Sequence, residues 1–467
     1  MGVFGFINTM LLTRVLDQQT YVMYGLLHNF VTPAVMFLCL GFDTAYSRFY
    51  YNHDNTQKRF LCRVLLIPAI LFLLMAFALL EPSQWIIRQI FGTKFSLLAV
   101  TLLLLYTLFS LGHRFTQLTA RMEERAFNYV ASNFIGRFGF VLIVFGVFAM
   151  WKNVDFNWIL ISSLIGAVFA TFLNLWILFK MSVKRNAVGV HVSNREMLKY
   201  GFPHMLNSVL IAAIPLLEKM VIRSAADAEH KIGLLGVYTA AAVFQTVVSM
   251  VTLTVNNIWN PLVFKHCDDE KTFKPIMHNF GMVITVIIVS GFSVCILLRR
   301  WLVLILDGKY HDAYIIAPAI CFGACYGLIS VIYSSGINIV KKTIHHVVEP
   351  VIQIILSAIC CFWLVPSMGL VGIGIALLVS IGISRTYKII VGLWLYDSGS
   401  SEHQMWILMA ICAIVAFSSL FLTSLLWDVI MFIVLIVAML LILNKDLKSI
   451  VQTAIPLFIS RKKTKTE

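Results

Sequence analysis

The chain has 467 residues, of which 60% are hydrophobic and only 12% are charged. A soluble protein of this length carries about a quarter charged residues, so this composition and a mean hydropathy of +0.88 exclude a soluble globular protein. The net charge of +14 does not indicate a nucleic-acid partner, because Lys and Arg cluster in one set of the loops between apolar segments, as the positive-inside rule requires of a membrane protein.

Apolar segments long enough to span a bilayer recur from one end of the chain to the other. They predict an all-α polytopic membrane protein with about fourteen transmembrane helices. The even number of spans and the basic loops place both termini in the cytoplasm. The predicted helices lie near 1–14, 20–47, 60–80, 95–120, 127–150, 156–180, 198–223, 233–263, 276–300, 312–340, 345–365, 367–395, 405–427 and 428–444.

The longest basic connection follows the sixth predicted helix and divides the chain into two similar halves. Both halves begin on the same side of the membrane, which indicates a parallel repeat. The predicted organisation is an N-terminal six-helix lobe (1–180), a cytoplasmic linker (181–197), a C-terminal six-helix lobe (198–395), two additional transmembrane helices (396–444) and a basic cytoplasmic tail (445–467).

The first two helices of the second half contain more polar residues than contact with lipid allows. Pro215 lies near the middle of the seventh predicted helix, where it predicts a kink and a hinge, although many structural helices are also kinked. The eighth helix has polar residues at spacings that place them on one face, which favours a cavity wall over hydrogen bonding between packed helices. These residues are Gln245, Ser249, Thr252, Asn256 and Asn260.

Charged residues at or near membrane depth are the strongest candidates for a binding site. Arg48, Arg114 and Arg137 have few acidic neighbours in the sequence and lie toward the cytoplasmic half of their helices. Cations that line a cavity suit an anionic substrate, above all a phosphate, which arginine binds in a bidentate manner. A second group lies toward the outer side, where it predicts a gate or exit: Arg14, Glu218, Lys219 and Arg223.

Two later predicted helices also contain polar residues, around Tyr326 and Ser330 and around His346, Glu349, Gln353 and Ser357. The sequence contains no phosphate-binding glycine loop, no HExxH zinc motif and no nucleophile elbow. The cysteines lack metal-ligand spacing and are interpreted as packing residues. These patterns predict a transporter without a metal site or cofactor, not an enzyme.

Five segments carry a resemblance to a known family. They are LGFDTAYSRFY (40–50), HRFTQLTARMEERAFNY (113–129), KYGFPHMLNS (199–208), GLLGVYTAA (233–241) and LDGKYHDAYIIAPAI (306–320). The chain resembles, over essentially its whole length, the lipid-linked oligosaccharide flippases of the multidrug/oligosaccharidyl-lipid/polysaccharide exporter superfamily. These proteins translocate O-antigen, capsular or exopolysaccharide units. The chain departs from the family's usual Asp-Arg pair in having Glu218 and Lys219.

The resemblance implies a flippase in the cytoplasmic membrane of a bacterium that works by alternating access. Its substrate would be an undecaprenyl-diphosphate oligosaccharide for lipopolysaccharide or capsule, and its lipid tail would stay among the membrane lipids. In that picture Arg48, Arg114 and Arg137 neutralise the diphosphate, and Lys219 and Arg223 attract it outward. Coupling to H+ or Na+ and contacts with other polysaccharide assembly proteins are further expectations.

Four other interpretations stay open. A lipid II flippase has the same architecture and a related substrate. A cation-coupled multidrug exporter of the same superfamily is less compatible, since it should present acidic residues to its cationic drugs. A membrane-embedded enzyme of glycan assembly should show a large acidic loop outside the membrane, and a scaffold for the assembly proteins would need no polar cavity.

Overall fold

The structure is a computed structural model. It describes residues 2–50, 57–80, 85–92, 94–122, 126–152, 154–180, 193–226, 231–266, 269–340, 342, 344–398 and 402–443. All regular secondary structure in these ranges is helical, which confirms the predicted all-α class.

The first nine helices run from the N-terminus through the predicted linker region. Their bounds are α1 Gly2–Val15, α2 Gln18–Leu38, α3 Phe42–Phe49, α4 Gln57–Leu80, α5 Trp85–Phe91, α6 Leu97–Met122, α7 Ala126–Trp151, α8 Phe156–Lys180 and α9 Asn194–Ala225. The other seven helices and one short 3-10 turn at Gly308–Tyr310 complete the described chain. Their bounds are α10 Lys231–His266, α11 Glu270–Val303, α12 Ala313–Tyr333, α13 Ser335–Ile339, α14 Ile344–Leu395, α15 His403–Phe421 and α16 Leu425–Leu443.

Ten of the described helices are long and apolar enough to cross a membrane, and two shorter apolar stretches lie within α4 and α10. Each of the fourteen predicted helices has a counterpart in the structure, because α14 contains two of them. The chain is therefore a multi-pass membrane protein. The short helix α5 between α4 and α6 has no counterpart among the predicted elements.

The described residues group into two compact units. The first unit is Leu11–Met220, and the second comprises Gly2–Met10 and Val221–Glu467. Helix α9 therefore belongs to the first unit for most of its length. The predicted lobes and the linker 181–197 stay predictions, since residues 181–192 lie outside the described ranges.

The second predicted helix, 20–47, is two helices in the structure. Leu40 and Gly41 have φ angles of 46° and 77°, which end α2 and turn the chain into α3. Gly41 also lies against the backbone carbonyl of Gly201 in α9, so that a Cβ atom at either glycine would overlap the other residue's main chain. Only glycine suits both the left-handed conformation and this close approach. The sequence pattern alone did not reveal the break.

Helix α9 begins with a capping box. The hydroxyl of Ser193 accepts a hydrogen bond from the backbone N–H of Glu196, and the Glu196 carboxylate accepts one from the N–H of Ser193, at 3.2 and 3.0 Å. These two bonds satisfy donors that a helix N-terminus otherwise leaves unpaired. The helix then continues through Pro203 and Pro215 to Ala225.

Helix α14 is a hairpin of two helical arms. Its backbone leaves helical geometry only at Gly369, where φ is 54° and ψ is −122°. Side chains near the start of the first arm contact side chains near the end of the second, as in the hydrogen bond of 2.8 Å between His345 Nδ1 and Tyr387 OH. The two arms therefore run antiparallel, and the predicted division between helices at 366 is close to the turn.

Candidate anion-binding site

Three cationic or titratable side chains from three helices converge inside the first unit. His28 lies near the middle of α2, and it interacts electrostatically with Arg137 of α7 and with Lys219 of α9. His28 and Arg137 are exposed, whereas Lys219 is only 4% exposed. We call His28, Arg137 and Lys219 the cationic cluster. Because Arg137 and His28 are exposed, the guanidinium and the imidazole are accessible to a ligand.

Two tyrosines adjoin the cationic cluster. Tyr24 lies one turn before His28 on α2, and its ring stacks on Phe140 with centroids 5.5 Å apart. Tyr106 of α6 hydrogen-bonds the Ser110 side chain and interacts electrostatically with Tyr24 and Arg137. A phenol is both a hydrogen-bond donor and a flat apolar surface. The cluster therefore combines positive charge with groups that suit phosphate oxygens and sugar rings.

Close packing of α7 against α8 positions Arg137. Gly136 and Gly166 face each other so closely that a Cβ atom on Gly166 would overlap the Gly136 carbonyl oxygen. Small residues let transmembrane helices approach in this way. Because successive helical residues are rotated by about 100°, the side chain that follows Gly136 lies on the face of α7 next to the one that packs on α8. Arg137 is that residue, and it is exposed.

Arg114 is held by an acidic partner that the sequence analysis did not assign to it. Its Nε and Nη2 atoms lie 2.8 and 2.5 Å from Asp43 Oδ2. The Asp43 side chain is 8% exposed and that of Arg114 is 32% exposed. Asp43 is distant from Arg114 in sequence and adjacent to it in space, so the few acidic neighbours of Arg114 in the sequence do not leave its charge unpaired. Its role in substrate binding stays a prediction.

The other predicted residues of the first unit are dispersed. Arg14 and Arg48 are exposed near the ends of α1 and α3. Glu218 is buried beside Lys219 and interacts with it electrostatically. Pro215 lies inside the continuous helix α9, and its role as a hinge stays a prediction.

The predicted residues of the second unit lie mostly on α10. Gln245 is exposed, and Thr252 is half-buried, with its hydroxyl donating to the Val248 carbonyl of the same helix at 3.1 Å. The side chains of Ser249 and Asn256 lie outside the described part of the structure. Arg223 is half-buried near the end of α9. Their assignment to a cavity wall and an outer gate stays a prediction.

His28 is not among the residues predicted from the sequence. A histidine inside an otherwise apolar span is the signal that identifies it, since ionisable groups at membrane depth are functional candidates. Arg137 was expected toward the cytoplasmic side and Lys219 toward the outer side. In the structure both interact electrostatically with the same imidazole, which periodicity within single helices cannot reveal.

The comparison with protein families concerns the first half of the chain. Residues 2–266 match the family described as polysaccharide biosynthesis protein. The chain belongs to this family. No curated protein matches the chain in sequence.

Solved transporters share the fold of this polysaccharide biosynthesis family member. An inward-facing multidrug resistance MATE family transporter of the MOP superfamily has a TM-score of 0.63 at 14% identity, covering 85% of this chain and 96% of its own. The lipid II flippase MurJ, in an inward closed conformation, has a TM-score of 0.60 at 14% identity, covering 96% of this chain and 97% of its own.

A MOP superfamily transporter from Pyrococcus furiosus, whose binding pocket has reversed polarity, has a TM-score of 0.53 at 11% identity over 85% of this chain and 93% of its own. These identities are low, so the likeness establishes the fold. The chain has the fold of MOP superfamily transporters, as the resemblance in its sequence predicted.

Proposed function

We propose that this protein translocates an undecaprenyl-diphosphate-linked oligosaccharide across the cytoplasmic membrane of a bacterium, by alternating access, for the synthesis of a cell-surface polysaccharide. The observation that carries this proposal is that Arg137 of α7 and Lys219 of α9 both interact electrostatically with His28 of α2 inside the first unit. The family membership and the transporter fold support it independently.

The cationic cluster suits the diphosphate of such a substrate. Arg137 presents an exposed planar guanidinium, which binds two phosphate oxygens at once. Lys219 adds a compact charge, and His28 adds a ring nitrogen that donates to an oxygen. Tyr24 and Tyr106 beside the cluster offer rings and hydroxyls to the first sugar. Glu218 compensates part of the charge of Lys219, and a diphosphate would compensate the charge of Arg137.

Arg114 has a different role in this proposal. Asp43 neutralises its charge and orients its guanidinium, with two contacts to one carboxylate oxygen. A phosphate that approached Arg114 would compete with that carboxylate. We therefore assign the main diphosphate contact to Arg137 and a secondary contact to Arg114. Arg48, Gln245, Ser249, Thr252 and Asn256 remain proposed contacts along that path.

The second candidate function is a lipid II flippase. The specific observation in its favour is the MurJ likeness, which extends over 96% of this chain. Lipid II and the proposed substrate share the undecaprenyl diphosphate and differ in the glycan. A multidrug exporter is less compatible, because a cationic drug would be repelled by the cationic cluster. Rescue of a strain depleted of its lipid II flippase distinguishes the two candidates: our proposal expects none.

The test of the proposed function is deletion of the gene followed by complementation. We expect lipid-linked oligosaccharide to accumulate on the cytoplasmic side and surface polysaccharide to fall. The wild-type chain should restore export, and Arg137→Gln should not. Arg121→Gln is the matched control, since Arg121 is an exposed cation at the end of α6. Normal export by the Arg137→Gln variant would contradict the assigned site.

The proposed function includes an energy source: an H+ or Na+ gradient that is coupled to translocation. Collapse of either gradient in vesicles that contain the purified protein should stop net translocation of a fluorescent lipid-linked glycan. Translocation that continues at the same rate without both gradients would contradict coupling, while leaving the substrate assignment intact.

A further inference from the structure

A second charged cluster lies in the second unit, between the two arms of α14. Glu349 of the first arm is 1% exposed, and its two carboxylate oxygens contact Arg385 and Lys388 of the second arm at 2.5 and 3.1 Å. The side chains of Arg385 and Lys388 are 21% and 11% exposed. The family match ends at residue 266, and the proposed function assigns no role to these three residues.

The charges of this cluster do not balance. Two cations face one carboxylate, and the charged groups that act on Lys388 are Glu349 and Arg385. The hairpin is apolar enough to cross a membrane, and a net charge in such surroundings is costly unless an ion of opposite sign compensates it. Within the described part of the chain the cluster therefore has room for one more negative charge.

Unpaired polar atoms next to the cluster point to a ligand independently. Gln353 and Ser357 follow Glu349 at intervals of four residues, which places all three on one face of the first arm. Gln353 is 5% and Ser357 is 2% exposed. Among the described residues, Arg385 Nε, Ser357 Oγ and the two acceptors Glu349 Oε1 and Gln353 Oε1 are buried without a hydrogen-bond partner. Buried polar groups are normally paired, and the Arg385 Nε–H is the unpaired donor within the ion-pair cluster, so it calls for an acceptor.

The identity of the donors favours a phosphate over a carboxylate. Arg385 keeps an unpaired Nε–H beside the guanidinium edge that binds Glu349, and Lys388 has a compact ammonium with further N–H donors. The hydroxyl of Ser357 lies two turns from Glu349, roughly 12 Å along the helix, and is too far away to share the same phosphate. Tetrahedral phosphate oxygens reach donors in several directions at once, whereas a carboxylate has only two oxygens in one plane.

A groove on the second arm favours a lipid as the source of the phosphate. It has a volume of about 430 Å³ and is lined mostly by apolar atoms of Leu378, Val379, Gly382, Ile383, Thr386 and Tyr387. Tyr387 lines the groove and also hydrogen-bonds His345, one turn from Glu349. A prenyl chain in this groove would have its charged end near the cluster.

We propose that Glu349, Arg385 and Lys388 form a second phosphate site, which takes the phosphate of a prenyl-linked lipid. This inference rests on the proposed function for the identity of that lipid. In the vacant site Glu349 keeps both cations in place. When the phosphate binds, its oxygens displace the carboxylate from Arg385 and accept hydrogen bonds from the Arg385 Nε–H and the Lys388 ammonium. The two units would then each hold the substrate's charged group at a different stage of translocation.

The test measures binding of undecaprenyl phosphate to the purified full-length chain in detergent. The double variant Arg137→Gln/Lys219→Gln serves as the background, so that the remaining binding belongs to the second unit. Arg385→Gln should weaken that binding about tenfold or more, the loss expected for one charge-assisted contact. Glu349→Gln should strengthen it by several fold, since it frees both cations. Lys342→Gln, which removes an exposed cation that lies over the Trp394 ring, should leave it unchanged.

Opposite signs for Glu349→Gln and Arg385→Gln separate a phosphate site from a purely structural ion pair. A structural pair predicts weaker binding in both variants, and that result would overturn the proposal. Equal affinity for phosphatidylglycerol or for inorganic pyrophosphate would overturn the assignment to a prenyl lipid. Absence of binding in the double variant, with binding intact in the wild type, would overturn the second site and leave the proposed function standing.

Discussion

Arg114 and Asp43 are 71 positions apart in the chain and form an ion pair between α6 and α3, in which both Nε and Nη2 contact the same carboxylate oxygen. One turn further along α3, Tyr46 hydrogen-bonds Thr119 of α6 at 2.9 Å. The short helix α3 is thus attached to α6 by two polar contacts. This attachment fixes the chain just after the break at Gly41.

Removal of one partner of this ion pair should destabilise the first unit. Asp43→Ala leaves the Arg114 guanidinium partly buried without its counter-ion, which we expect to cost about 2–4 kcal/mol, less than a fully buried pair because Arg114 is one-third exposed. Thermal unfolding in detergent measures the effect. The double variant with Arg114→Ala should recover part of the loss, and a double variant less stable than the sum of the single changes would contradict the pairing.

Removal of one partner from a second ion pair should lower the unfolding free energy more than removal of Asp43, because this pair is fully buried. Arg299 of α11 and Asp428 of α16 are both 0% exposed, with Nη2 and Oδ1 2.7 Å apart, and Arg299 also donates to the carbonyls of Ser419 and Leu422. Asp428→Ala should lower the unfolding free energy by about 3–5 kcal/mol.

The matched control for that change is Arg300→Ala. Arg300 contacts the other oxygen of Asp428 at 3.4 Å, and its side chain is 35% exposed. We expect a loss of about 1 kcal/mol or less, as for exposed ion pairs. Similar melting temperatures for the Asp428→Ala and Arg300→Ala variants would show that burial does not strengthen the Arg299 pair.

The glycine at the break between α2 and α3 should not tolerate a side chain. In Gly41→Ala the new methyl group would meet the Gly201 main chain, and the φ angle of 77° disfavours any L-residue. We expect a loss of folded protein on size-exclusion chromatography. Gly139→Ala is the control, since nothing lies within 4 Å of the added Cβ. It should be neutral or stabilise α7 by about 0.5–1 kcal/mol.

The charge at position 219 should matter for transport. Lys219→Gln removes one cation from the cluster around His28, and we expect export of the lipid-linked glycan to fall about tenfold or more, as for loss of a charge-assisted contact. Lys219→Arg keeps the charge and adds a planar guanidinium, so it should preserve export. Equal loss in both variants, with normal amounts of folded protein, would indicate a packing role instead.

Periodic apolar segments and loop charges determined the architecture before any tertiary information. The length of each span and the position of each polar loop depend only on residues that are close in sequence, because a helix in a bilayer satisfies its backbone hydrogen bonds within its own segment. For that reason all fourteen predicted helices have counterparts in the structure. The helix boundaries that were predicted wrongly are local exceptions. One is the turn at Leu40 and Gly41, where a tertiary contact with Gly201 selects the conformation.

The candidate site was only partly visible in the sequence. Arg137 and Lys219 were selected because charged groups at membrane depth are costly to keep, an argument that needs no coordinates. Their proximity to His28, and the pairing of Arg114 with Asp43, depend on the rotation and depth of separate helices. Side-chain packing between helices such as α7 and α8 sets those quantities. The sequence by itself determined a membrane transporter with cations in its spans, and the tertiary structure decided which of those cations are neutralised and which converge.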